Sequence, residues 1–294
     1  MIDVSVTVGK VLRAATQRLR DAGGPTPRLD AEVLLAFVTG RDRTWLLAHP
    51  EAPISDPSVF DAAVERRAGG EPVAYIRGFK EWRSLRIRTD ARALIPRPET
   101  ELVVEAAAAE ITARLARQPA TVAWDVGTGS GAVALALALD LRDALADGRM
   151  RLVASDVSPA ALELAVENLA AHGVADAVEL VTADLLASAG EGLPRPDVVI
   201  ANLPYVSSAE VDERVGSLGF EPRIALDGGP DGLRLLRRFL AEAPDRAERG
   251  ATLILELGVG QVDTVRGLAP PEAAVMVVPD VAGLDRVVRI DLPA

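Results

Sequence analysis

Asp125-Val126-Gly127-Thr128-Gly129-Ser130-Gly131 follows an apolar run over 121–126 and precedes another over 132–141. A strand-like run, a glycine-dense turn and an apolar helical pattern together make a β–turn–α unit. Glycines there permit a tight turn and a close approach of backbone to a ligand. With Ala132 the stretch also satisfies G-x-G-x-x-G/A, so alone it does not separate a dinucleotide site from another adenosine site.

Strands and helices alternate outward from this unit. Residues 99–115 read as a helix, 151–155 as the next strand, 160–172 as its helix, 178–182 as a third strand and 197–201 as a fourth. A helix over 233–243, a strand over 251–257 and closing strands at 274–278 and 286–290 complete the series. Buried strands alternating with helices imply a doubly wound α/β sheet, which binds ligands at the carboxyl ends of its strands. Residues 1–75 differ. Val11, Leu12, Ala15 and Leu19 recur at helical spacing, Gly23-Gly24-Pro25 ends that element, and further helical patterns cover 31–36, 44–48 and 59–67. Leu85-Arg86-Ile87-Arg88 then alternates as a strand does, and Pro96 and Pro98 fix an extended exit. The expected organisation is a helical domain over 1–75, a β-hairpin linker over 76–98 and an α/β domain over 99–294.

Composition removes several chemistries. The 294 residues include no cysteine, which excludes disulfides, thiol nucleophiles and cysteine metal sites. His49 and His172 are the only histidines, so no metal centre is expected. No G-x-S-x-G is present to suggest a serine hydrolase. No apolar run approaches the ~20 residues of a membrane span, and MIDVSVTVGK lacks the pattern of a secretion signal. The expectation is a cytoplasmic monomer without membrane contact. A net charge of -11 argues against general binding of a nucleic-acid backbone. One segment departs from this: Arg77, Lys80, Arg83, Arg86, Arg88, Arg92 and Arg97 face only Glu81 and Asp90 within 77–97. It reads either as a solvated strand face or as a docking surface for an acidic or RNA-associated partner.

The strand ends carry the candidate chemistry. Gly127, Thr128, Gly129, Ser130 and Gly131 form the candidate cofactor loop. Asp156 ends the second strand, where a carboxylate can accept both ribose hydroxyls of an adenosine. Both NAD and S-adenosyl-L-methionine carry that ribose. Ser158 and Pro159 cap and start the next helix. Asp184 can reach an adenine amino group, with Leu185 covering the ring. Asn202-Leu203-Pro204-Tyr205 follows the fourth strand. An amide or exocyclic amine nitrogen has a delocalised lone pair and is a poor nucleophile until acceptors hold its hydrogens. The Asn202 side-chain oxygen and the Leu203 carbonyl can each accept one N–H, which orients the nitrogen toward a methyl donor. Tyr205 can stack on the flat substrate group and Pro204 stiffens the loop.

The chain resembles the PrmC/HemK family, the protein-(glutamine-N5) methyltransferases of peptide-chain release factors. Leu94-Ile95-Pro96-Arg97-Pro98-Glu99-Thr100-Glu101 is similar to that family's signature, 125–131 to its cofactor loop, and 202–205 to its N-P-P-Y motif. Phe220-Glu221-Pro222, Ala225-Leu226-Asp227-Gly228-Gly229 and Asp231-Gly232-Leu233 are similar to the segment that follows, and 280–288 to its C-terminal strand region. The resemblance implies a class I S-adenosylmethionine-dependent methyltransferase fold, Rossmann-like with an antiparallel C-terminal strand. It implies methyl transfer to the glutamine of a Gly-Gly-Gln motif in class I release factors, with S-adenosyl-L-homocysteine as the other product. Asn202 and Tyr205 would be catalytic, Asn202 also touching cofactor, and the N-terminal domain would help grip the partner. An N6-adenine methyltransferase acting on DNA or RNA is the alternative, since its substrate amine fits an Asn-x-Pro-Tyr site equally well. The family usually has proline where this chain has Leu203, and often an aromatic residue where it has Leu185.

Overall fold

The computed structural model describes residues 6–190, 192–214, 216–270, 272–280 and 282–294. It divides into two compact units: the first comprises Met1–Phe79 and Arg214–Phe220, the second Lys80–Glu213 and Glu221–Ala294.

The first unit is helical: α1 (Val8–Asp21), α2 (Pro27–Thr39), α3 (Arg43–Ala48), α4 (Ser58–Ala68) and α5 (Val73–Arg77). Pro27 starts α2, where a missing N–H costs nothing, and Gly40 ends it in the left-handed conformation. The Asp42 carboxylate caps α3 by accepting from the Trp45 N–H. Leu12, Leu19, Leu34, Leu35, Leu46 and Phe60 fill the core. Two acids are buried with partners: Asp30 pairs with Arg67 at 2.7 Å, and Glu32 pairs with Arg28 and Arg43. Arg67 also donates to the Ser217 hydroxyl at 2.9 Å, which ties the distant 214–220 segment into this unit.

A hairpin, β1 (Phe79–Trp82) and β2 (Leu85–Arg88), follows, and from Lys80 on it belongs to the second unit. Arg83 and Ser84 between them both have positive φ, 47° and 59°, as a tight primed turn demands. Next come α6 (Thr100–Leu115), β3 (Thr121–Val126), α7 (Ala132–Asp140), α8 (Arg142–Ala146), β4 (Met150–Asp156), α9 (Pro159–Ala171) and β5 (Val178–Thr182). They are followed by β6 (Val198–Ala201), α10 (Ser208–Asp212), α11 (Arg234–Arg246), β7 (Thr252–Glu256), α12 (Val262–Leu268), β8 (Ala274–Pro279) and β9 (Asp285–Asp291). The sequence pattern ended the helix before Pro244, yet α11 runs three residues past Ala243 with that proline inside it. Among the described residues, no helix is long and apolar enough to cross a membrane.

The seven-stranded sheet has the order β5-β4-β3-β6-β7-β9-β8. Strands β3 to β7 pair in parallel, while β9 lies antiparallel to both β7 and β8. Both faces of the parallel part are covered. Val198 and Ile200 point into one core with Leu135 and Ile111; Val199 and Ala201 point into the other with Trp124 and Phe239. The chain leaves β3 toward β4 and returns to β6 on the other side, so the order in which strands are added reverses between the parallel β3 and β6. That reversal opens a crevice at their carboxyl ends.

Gly131, at the start of α7, has φ +78°, and a Cβ there would lie 2.9 Å from the Ala165 Cβ and 3.1 Å from the Ala165 Cα of α9. Left-handed strain and overlap with a fixed helix backbone act together. Gly131→Ala is expected to cost about 3 kcal/mol in denaturant unfolding. A cost under about 1 kcal/mol would show that this close packing is not under strain.

Candidate active site

The glycine loop is held from three sides. The Gly127 and Thr128 N–H groups both donate to the Ser155 carbonyl of β4, at 2.8 and 2.9 Å. Gly127, Gly129 and Gly131 all adopt positive φ, which lets the backbone turn this tightly. Asp125, fully desolvated below the loop, accepts from the Thr128 hydroxyl at 2.6 Å and from the Ala134 N–H of α7 at 3.2 Å. Burial pushes its carboxyl up to about 6 against those hydrogen bonds, with Asp156 adding repulsion. Asp125 is thus a latch between strand, loop and helix. The sequence reading assigned it no role, because its partners become visible only once the turn closes.

Asp156 extends from the end of β4. It accepts from the Gly129 N–H at 2.9 Å through one oxygen and from the Ser158 N–H at 2.9 Å through the other. Burial raises its pKa, and these backbone donors oppose the rise. Each carboxylate oxygen keeps a second lone pair for an outside donor.

A cavity of about 600 Å³ lies over these strand ends. Gly127, Thr128, Gly129, Ser130, Asp156, Asp184, Leu185, Asn202, Leu203 and Pro204 all line it. Gly131 and Tyr205 are not among its lining residues. Gly131 instead makes the close approach to α9. The Tyr205 ring packs toward Gly258, where a Cβ would stand 3.0 Å from the Tyr205 Cδ2. Burial, followed by the Glu256 charge, raises the Tyr205 hydroxyl pKa. Leu185 holds a strained φ of 52° with its side chain buried. The Asp184 carboxylate sits half-exposed, paired with Arg238 of α11 at 2.9 Å. That pair was invisible locally because it joins residues 54 positions apart.

Asn202 sits immediately beyond β6. Its side-chain N–H donates to the Thr100 hydroxyl oxygen at 3.3 Å. Leu203 is buried, and its Cδ2 lies 3.6 Å from the position of a Cβ on Gly127. The Leu203 side chain therefore stands beside the glycine loop, and Asn202, Leu203 and Pro204 line the same cavity as residues 127–130. Two further segments brace them. Glu221, itself buried, accepts from the Ile95 N–H at 3.0 Å and from the Arg97 guanidinium at 2.6 Å, securing the stretch that leads to Thr100. Gly228 and Gly232 press against the back of the loop: a Cβ would come within 2.6 Å of the Pro204 carbonyl oxygen and 2.2 Å of the Tyr205 carbonyl oxygen, respectively. The Gln261 side chain donates to that same Tyr205 carbonyl at 3.2 Å.

Neither histidine is among the residues lining this cavity. His49 stacks on Trp45, and His172 meets the Arg86 carbonyl at 3.1 Å. Among the described residues, no group of three or more His, Cys, Asp or Glu is arranged to hold a metal. The basic segment is paired with acids: Arg83 with Asp140, Arg88 with Glu167, and Arg92 with Asp90 and Glu167.

Residues 10–78 match the PrmC N-terminal domain, and residues 99–211 match a precorrin methyltransferase domain. The release factor glutamine methyltransferase of Moorella thermoacetica is 40% identical over 286 residues, covering 96% of this chain and 97% of that protein. The chain belongs to the release factor glutamine methyltransferase family. The enzyme of the same name from Rhodopirellula baltica is 36% identical, covering 98% of this chain and 97% of its own. That from Neisseria gonorrhoeae is 39% identical over 89% and 92%. The solved hMettl16 catalytic domain aligns with 79% of this chain and 82% of its own at a TM-score of 0.53 and 14% identity, which is a likeness of fold. The fold is that of class I S-adenosylmethionine-dependent methyltransferases, and fold and family together imply use of that methyl donor. Within this family frame, Leu203 keeps the backbone carbonyl that a proline would offer and adds buried apolar contact with Gly127.

Asp125→Asn separates charge from hydrogen bonding at the latch. The native carboxyl has a folded pKa of about 6 against 3.8 when exposed, so folding disfavours its ionised form. Stability is therefore lost as pH rises through that window and stays lost above it. The amide keeps an acceptor for Thr128 and Ala134 without that penalty. Asp125→Asn is expected to be more stable than the native chain by about 1–3 kcal/mol near neutral pH, the gain vanishing toward about pH 4. A variant less stable at neutral pH would assign the charge itself a stabilising role.

Proposed function

We propose that this chain transfers a methyl group from S-adenosyl-L-methionine to the side-chain amide nitrogen of the glutamine in the Gly-Gly-Gln motif of class I release factors, and so modulates translation termination. The observation that carries the reading is that the glycine loop after β3 and Asn202-Leu203-Pro204 after β6 line one cavity. The name shared by relatives 34–40% identical over nearly the whole chain supports the substrate and disfavours adenine.

The residues present fit the donor. The cavity is roomy enough for a nucleoside with an amino-acid tail. The loop's positive-φ glycines keep that wall free of side chains. Asp156, pinned by two backbone donors, has lone pairs left to accept the two ribose hydroxyls. Asp184 and Leu185 line the same cavity and are assigned to the adenine amino group and ring, with Asp184 also paired to Arg238. The donor, when bound, supplies an electrophilic methyl on sulfur and leaves as S-adenosyl-L-homocysteine.

The chain's own work is to prepare the nucleophile. The Asn202 side-chain oxygen and the Leu203 carbonyl each accept one hydrogen of the substrate carboxamide. That fixes the amide plane and holds nitrogen at attack distance, a gain in orientation rather than in basicity. As the nitrogen takes on positive charge in the transition state, its N–H groups donate more strongly to the same two oxygens. The methylated nitrogen then sheds a proton to water, so no strong general base is required. Pro204 restricts the loop, Gln261 anchors it by donating to the Tyr205 carbonyl, and the Tyr205 ring is assigned to stacking on the flat substrate amide. The first unit is assigned to gripping the release factor, and the enzyme is taken to act as a cytoplasmic monomer.

Mass spectrometry of a class I release factor incubated with the purified chain and donor should find one added methyl, on the Gly-Gly-Gln glutamine. Asn202→Ala should lower kcat/KM by about 100-fold or more, with calorimetric affinity for S-adenosyl-L-homocysteine changed less than about threefold. Asp156→Ala should weaken that affinity by about tenfold to 100-fold. Normal turnover in the first variant, or normal affinity in the second, removes that residue from its assigned role.

A further inference from the structure

An asparagine amide is nearly symmetric in shape. Turning it by half a rotation exchanges oxygen and NH2 at almost no steric cost. In one orientation Asn202 offers an acceptor to the cavity. In the other it offers donors, which would oppose the N–H groups of a substrate amide. Something buried must choose between them.

Parallel pairing of β6 with β7 sets Ala201 beside Leu255, which brings the next residues, Asn202 and Glu256, side by side. Glu256 is 4% exposed, and its Oε2 has no hydrogen-bond partner among the described residues. Burial raises the pKa of this carboxyl and the Glu99 charge adds to the rise, while the nearby Thr100 hydroxyl and Asn202 amide oppose it. Glu99, Arg286 and Tyr205 are the other ionisable groups around it. Thr100 is equally buried, and its hydroxyl oxygen already accepts the Asn202 N–H at 3.3 Å.

From this we infer that Glu256, facing the Asn202 amide directly and through Thr100, is the positioning residue that locks that amide with its oxygen toward the substrate. The reasoning is one of donor order. A carboxylate only accepts. The Thr100 hydroxyl therefore turns its hydrogen toward Glu256 and presents its oxygen to Asn202. Asn202 must answer with N–H, and its oxygen is left for the cavity that it lines. Without a fixed acceptor at the far end, the Thr100 hydroxyl can rotate and donate to Asn202 instead, and the amide can turn over. An amide in place of Glu256 permits the whole chain of donors to reverse. The Leu203 carbonyl needs no such control, because a backbone oxygen cannot exchange places with a donor.

The inference rests on the role proposed for Asn202, and one set of variants separates the two. Glu256→Gln preserves shape and removes the acceptor-only character. Thr100→Val preserves shape and removes the relay, and carries the same comparison if Glu256→Gln does not fold. Each is expected to lower kcat/KM by about tenfold or more, with the melting temperature and S-adenosyl-L-homocysteine affinity near those of the native enzyme. Thr100→Ser, which keeps the hydroxyl, should retain a larger share of kcat than Thr100→Val. Combined with Asn202→Ala in single-turnover assays with labelled methyl donor, each should add less than about threefold, since no amide remains to orient. A full additional loss in that background would mark a general structural role and overturn the inference, as would native kcat/KM in both single variants while Asn202→Ala is inactive. Native activity in Asn202→Ala would overturn both the inference and the reading beneath it.

Discussion

Parallel pairing of β3 with β6, Ala123 against Val198 through Val126 against Ala201, is the constraint on which the site depends. It brings two chain segments separated by more than seventy residues to one crevice. One emerges as the glycine loop, the other as Asn202-Leu203. Because both strands are buried on both faces, neither can slip in register without turning core residues such as Trp124 and Ile200 out of place. The same sheet adds β7 on the far side of β6, which delivers Glu256 to the back of Asn202. The glycine loop, Asn202 and Glu256 therefore all hang on one hydrogen-bonded framework.

Rigid elements hold the parts that must be exact in place, and close packing holds the loops. Three carboxylates show the division of labour. Asp125 latches the turn from below, Asp156 binds the turn while facing the cavity, and Glu221 secures the segment leading into α6. The glycines of 228–232 serve a different end, allowing backbone to press against backbone behind Pro204 and Tyr205. The 202–205 loop, with leucine rather than proline at position 203, is still confined, because Leu203 is buried and Gly228 and Gly232 pack closely behind Pro204 and Tyr205.

Much of this was legible in sequence where the signal is local. The strand, glycine turn and helix around 121–141, the carboxylate ending β4 and the Asn-Leu-Pro-Tyr stretch after β6 each announce themselves within a few residues. What the sequence concealed depends on contacts over long separations. The Asp184–Arg238 pair, the grip of Glu221 on Ile95 and Arg97, and the neighbourhood of Glu256, Thr100 and Asn202 appear only when strands are laid side by side. The hold on the Tyr205 carbonyl by Gln261, 56 positions away, is of the same kind. Nothing local marks 214–220 as belonging with the N-terminal helices either; Arg67 and Ser217 reveal it.

The most direct measurement is a crystal structure with S-adenosyl-L-homocysteine and a release-factor peptide carrying Gly-Gly-Gln. The account predicts the glutamine amide nitrogen within about 3 Å of both the Asn202 side-chain oxygen and the Leu203 carbonyl oxygen, facing the sulfur. A glutamine bound elsewhere, or an Asn202 that turns its NH2 group toward that amide, would contradict it.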